Sequence, residues 1–139
     1  MRATIERFAR PVFYLAAAFA FVMAVLPHPP RLPGEPSDKV LHILAFTALG
    51  ALASLAFARR SALSLLAGLA VFGAVIEMVQ AIPTLHRDSE LADWIADALA
   101  AALAIGVTRF ALLPLAERYW ATGTSTSLRR RKDGTNGEL

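Results

Sequence analysis

The run from Ala62 to Ile82 contains a single charged residue, Glu77, and ends at Pro83. An uninterrupted apolar stretch of this kind is what a helix rising 1.5 Å per residue needs to cross a bilayer. Three further runs follow the same rule: Pro11 to Leu26, Asp38 or Lys39 to Ala58, and Glu90 to Leu113. None shows amphipathic alternation, so each reads as a span and not as one face of a soluble core. Lipid offers no partner to backbone N–H and C=O groups, which forces such segments to be helices. The sequence therefore predicts an all-α integral membrane protein with four transmembrane helices in a compact antiparallel bundle.

Composition agrees with this and sharpens it. Of the 139 residues 56% are hydrophobic and 18% charged, against about 25% charged in soluble domains. One domain is expected over 1–116, with spans at about 8–26, 39–58, 62–82 and 91–113. The first run is short, and lengthens backwards through Ile5 and Phe8 with Arg7 and Arg10 snorkelling to the interface. Pro27, His28, Pro29 and Pro30 follow it without a small-x-small cleavage site, which argues against a signal peptide. Residues His28 to Pro36 hold too many prolines for helix and predict an extended loop. Ser37 or Asp38 and Ser89 stand where N-caps belong. Arg59, Arg60 and Ser61 make a tight turn, and 117–139 reads as a disordered cytoplasmic tail. The chain has no cysteine, which excludes disulfides and thiolate metal sites.

Charge sets the expected orientation. Arg2, Arg7, Arg10, Arg59, Arg60, Arg118, Arg129, Arg130, Arg131 and Lys132 fall on one side of the four spans, and Arg31, Lys39 and Arg87 on the other. The positive-inside rule places both termini in the cytoplasm, and a bacterial cytoplasmic (inner) membrane is the expected location. The basic excess is thus a topology signal, and no nucleic-acid partner is expected.

Against this apolar background, polar residues gather at one end. His42 lies one turn into the second span, Glu77 and Gln80 near the end of the third, and Asp93 and Asp97 near the start of the fourth. All fall within roughly 10 Å of the helix ends that face outward. Asp38 and His42 are spaced i,i+4, Glu77 and Gln80 i,i+3, and Glu90, Asp93 and Asp97 form one stripe, so three helices present polar faces at one depth. Glu77, Asp93 and His42 are expected within hydrogen-bonding or one-water distance, with Arg87 or Lys39 above them. Small-residue spacings at Ala70/Ala74 and Ala98/Ala102/Gly106 predict where helix backbones touch.

The segment Ser37-Asp38-Lys39-Val40-Leu41-His42-Ile43-Leu44-Ala45-Phe46 resembles the opening signature of VanZ-like membrane proteins. Ile76-Glu77-Met78-Val79-Gln80, then Pro83, Arg87 and Asp93-Trp94-Ile95-Ala96-Asp97, resemble the second block in the same order and spacing. The likeness covers about Asp38 to Gly106. Asp97 departs from it, standing where the family often has asparagine, and Ala100 and Ala104 stand where glycine is common. The resemblance implies a small multi-span envelope protein related to glycopeptide susceptibility, and brings no established reaction with it.

Ionisable side chains at membrane depth cost several kcal/mol unless paired or hydrated, which makes them functional candidates. His42, Glu77, Asp93 and Asp97 are the candidate catalytic acid–base groups, suited to phosphoryl or acyl transfer. Asp38, Lys39, Gln80 and Arg87 are candidate ligand-binding groups, with Arg87 and Lys39 able to grip a phosphate or carboxylate. Oxygen ligands of this type would suit a divalent cation, but no compact ligand motif is present, so no metal site and no cofactor is assigned. Arg109 is expected to snorkel without a role. The expected partners are the lipid bilayer and a lipid-linked or cell-wall-related ligand. The competing expectation is a non-catalytic accessory subunit or scaffold whose polar residues hold helices, or a membrane-protein partner, together.

Overall fold

The structure, a computed structural model, describes residues 2–27, 37–85 and 90–116. The expected loop at His28–Pro36, the ligand candidate Arg87, the cap Ser89 and the tail 117–139 lie outside the described residues. Within them the protein is helical throughout, as α1 (Arg2–Val25), α2 (Asp38–Ala56), α3 (Ala62–Gln80) and α4 (Leu91–Val107). A 3-10 turn at Pro83–Leu85 follows α3, and α4 runs on through a π-helical turn at Thr108–Leu112 to residue 116. All four helices are long and apolar enough to cross a membrane.

The helix starts follow local chemistry. Ser37 and Ser61 cap α2 and α3, their hydroxyls accepting from the Val40 and Ser64 amides; each such cap is worth about 1 kcal/mol. Helix α1 begins at Arg2, earlier than the expected start near residue 8, and passes through Pro11 without ending. Helix α4 has no side-chain cap of its own at Glu90. Its start is held from a different helix.

Helix directions follow from which ends meet. His42, near the start of α2, pairs with Asp97, near the start of α4. Arg109, past the end of α4, reaches Phe57 and Arg60, past the end of α2. Helices α2 and α4 therefore lie side by side in the same direction, and theirs is the most extensive contact in the fold. A simple antiparallel bundle would instead place its closest contacts between helices adjacent in sequence. Helix α3 opposes α4, with Glu77 beside Glu90 and Ala70 beside Trp94, and α1 packs on α2 and α3.

The reason for the α2–α4 contact is Gly50. A Cβ built there would stand 2.8 Å from the Ala101 carbonyl oxygen and 3.0 Å from the Ala104 Cβ. Small residues at a helix interface are what let two backbones approach this closely. The expected small-residue stripe on α4 is corrected here: a Cβ at Gly106 would meet open space, while Ala101 and Ala104 are the buried contacts. Below this seam, Phe46, Leu49 and Ala53 of α2 meet Leu69 and Ile76 of α3 and Ala101 and Ile105 of α4 in one cluster. The outer surface is apolar as well, with Phe8, Leu15 and Phe19 of α1, Leu63 and Val71 of α3, and Leu99 and Leu103 of α4 all exposed.

Candidate functional site

The polar residues singled out in the sequence meet at the end of the fold where α2 and α4 begin and α3 ends. The deepest pair is His42 and Asp97, with Nδ1 and Oδ2 3.0 Å apart and side chains 8% and 2% exposed. One helical turn nearer the surface, Lys39 Nζ lies 3.1 Å from Asp93 Oδ1 and 3.7 Å from Glu90 Oε2. Both pairs join α2 to α4, because the i+3 and i+4 spacings on each helix turn these residues to one side. Glu77 of α3 accepts the Glu90 amide through Oε2 at 3.0 Å and so holds the start of α4.

Of the expected set, His42 pairs with Asp97, Asp93 pairs with Lys39, and Glu77 accepts the Glu90 amide. Asp38 is exposed at the first turn of α2, and the Nδ1 atom of His42 is taken by Asp97, not by the i−4 carboxylate the spacing suggested. Gln80, a ligand candidate by sequence, is buried and donates to the Ala24 carbonyl at 3.0 Å, which ties α3 to α1. Among the described residues no group of three or more His, Asp or Glu side chains is placed to hold a metal ion.

Trp94 is the residue of this end that sequence reasoning passed over, although it sits inside the Asp93–Asp97 segment. Its indole N–H donates to the Ala70 carbonyl at 2.8 Å, and its ring lines a groove of about 390 Å³ with Ala74, Glu77 and Leu91. The groove places an aromatic face beside a carboxylate on the α3–α4 surface. Gly73 makes room for it, since a Cβ there would stand 3.3 Å from both Phe46 and Trp94 ring atoms.

At the opposite end Arg109 has a role that the expectation denied it. Its guanidinium donates to the Arg60 carbonyl at 2.6 Å and to the Phe57 carbonyl at 3.0 Å. Arg10 of α1 donates through Nε to the Ala56 carbonyl at 3.0 Å and lies 5.7 Å from the centroid of the Phe57 ring. The last carbonyls of a helix lack intrahelical partners and carry its negative pole. Two arginines from neighbouring helices therefore close α2. A basic residue near the membrane surface gives no hint in sequence of whether it faces water or a helix end.

Chemically, the His42–Asp97 pair is an oriented imidazole. With the proton on Nδ1 directed at Asp97, Nε2 is left as a proton acceptor, the arrangement in which a carboxylate fixes the tautomer of a base. Asp97 Oδ1 is buried and has no hydrogen-bond partner among the described residues. Comparison of the chain with protein-family models, with curated proteins and with solved structures returned no match.

Proposed function

We propose that this chain is a VanZ-like multi-pass protein of the bacterial cytoplasmic membrane, with both termini cytoplasmic and its polar end in the outer leaflet. There it binds, and by its His42–Asp97 pair is equipped to act on, the polar head of a lipid-linked or cell-wall-related molecule. Four helices of spanning length and an apolar outer surface support the membrane placement. The charge division, arginines at one end and carboxylates at the other, supports the orientation.

The observation that carries the functional reading is the buried His42–Asp97 pair with its unpartnered Oδ1. An interhelical hydrogen bond in a membrane stabilises by about 0.6 kcal/mol on average. Withdrawing a carboxylate from water costs several kcal/mol. As glue the pair is a poor bargain, and buried polar atoms left short of partners gather at functional sites. Glu77 and Trp94 line a groove between α3 and α4 at the same end of the fold, the surface proposed to take the headgroup.

The accessory-scaffold reading has one observation in its favour: Lys39–Asp93, Glu77–Glu90 and Gln80–Ala24 each join two helices. Glu77→Gln separates the two readings. A glutamine carbonyl still accepts the Glu90 amide, so the detergent-solubilised melting temperature is expected to stay within a few degrees of wild type. The susceptibility shift to a cell-wall inhibitor that expression confers is expected to vanish with the charge. A lowered melting temperature with no separable phenotype would favour the scaffold.

Orientation is tested independently by reporters active on one side of the membrane only. A periplasmic reporter fused at Ser37 is expected to be active and the same reporter at Arg60 silent. The reverse pattern would move the site to the cytoplasmic leaflet.

A further inference from the structure

The end of the fold opposite the polar site is basic to a degree its own contacts do not use. Arg7, Arg10, Arg59, Arg60 and Arg109 gather there, and Glu6 is the sole acidic residue at that end among the described residues. Arg10 and Arg109 are spent on the carbonyls of Ala56, Phe57 and Arg60, and Arg10 pairs with Glu6 at 3.1 Å as well. The side chains of Arg7, Arg59 and Arg60 are exposed and have no ion pair among the described residues. Because Arg10 and Arg109 pin α1 and α4 to the end of α2, the unspent arginines are held around one turn.

Three of these five arginines stand within three residues of an exposed apolar side chain in the sequence. Arg7 is followed by Phe8, Arg60 stands just before Leu63, and Arg109 is followed by Phe110, these three apolar residues being 66%, 75% and 78% exposed. Free phosphate or a nucleic acid would have no use for the apolar half of that pattern. A phospholipid uses both halves, its phosphate diester taking guanidinium donors in bidentate fashion and its acyl chains lying along the side chains beyond.

We infer that the Phe57–Ser61 turn, with Arg59, Arg60 and Arg7, which lies one helical turn before the pinned Arg10 on α1, is a binding site for the phosphate of an anionic phospholipid in the cytoplasmic leaflet. The inference rests on the membrane placement proposed above. It strengthens the hold on α1: this helix buries little of itself, with Ala9 and Ala24 its buried residues, and is pinned by polar contacts at Ala56 and Ala24. A lipid phosphate near Arg7 and the turn reinforces the first of these pins.

The test uses the full-length protein in nanodiscs of phosphatidylcholine alone and of phosphatidylcholine mixed with phosphatidylglycerol. Lipids retained on release are read by native mass spectrometry, and melting temperature is read in parallel. Wild type is expected to retain phosphatidylglycerol selectively and to melt higher in its presence, whereas inorganic phosphate added to phosphatidylcholine discs leaves melting unchanged. Arg59→Gln with Arg60→Gln is expected to melt as wild type in phosphatidylcholine and to lose the preference, at about fivefold in affinity for each arginine removed. Arg7→Gln weakens it further. Equal retention of both lipids by wild type, an undiminished preference in the double variant, or the same shift from inorganic phosphate would overturn the inference. Failure to enter discs of either composition would overturn the membrane placement along with it, whereas entry without lipid preference leaves that placement standing.

Discussion

Gly50→Leu is expected to prevent the four helices from assembling, the largest effect of any single substitution in the fold. Even the first added carbon stands 2.8 Å from the Ala101 carbonyl oxygen and 3.2 Å from the Ala101 Cα. These are backbone atoms of a helix and cannot rotate away. Gly50→Ala is expected to cost about 1–3 kcal/mol, as overpacking commonly does, and leucine substantially more because the branched chain has nowhere to go along the seam. Gly68→Ala and Gly106→Ala are the controls, since a Cβ at either meets nothing within 4 Å; both should match or slightly exceed wild type, alanine being the better helix former. Melting in detergent across these variants is the measurement, and a Gly50→Leu protein that melts as wild type would contradict the α2–α4 packing described above.

The second large effect belongs to the buried pair. His42→Leu leaves the Asp97 carboxylate buried beside apolar atoms, and Asp97→Leu does the same to the imidazole. Breaking one partner of a buried pair costs about 3–5 kcal/mol. Replacing both by leucine removes the uncompensated charge and is expected to recover most of that loss, because well-packed apolar substitutes for buried pairs are often neutral or better. The double variant is therefore the informative protein. If the proposed function holds, so that expression shifts susceptibility to a cell-wall inhibitor and the pair serves the ligand, the double variant is folded and lacks that shift. A double variant that keeps whatever shift the wild type produces would mean that the pair only ties α2 to α4. Stability and phenotype must be read on the same preparations, since the single variants change both.

What the sequence determined by itself was local. Apolar runs between prolines and arginines placed four helices, and Ser37 marked the start of α2, because helix length, capping and the need to satisfy backbone groups are decided within a few residues. The concentration of polar residues at one end was legible for the same reason: depth along a helix follows from counting residues. Only the tertiary structure decided the pairings. Depth says nothing about rotation or about which helices are neighbours, and here the seam at Gly50 sets both. It brings α2 and α4 together in parallel, so that His42 meets Asp97 and Lys39 meets Asp93, while α3 is left to present Glu77 to the Glu90 amide. The two arginine contacts on the end of α2 were hidden for a related reason. Whether a guanidinium at the membrane surface reaches for water, for a lipid phosphate or for the open carbonyls of a neighbouring helix depends on what lies within its reach, and that is settled by packing.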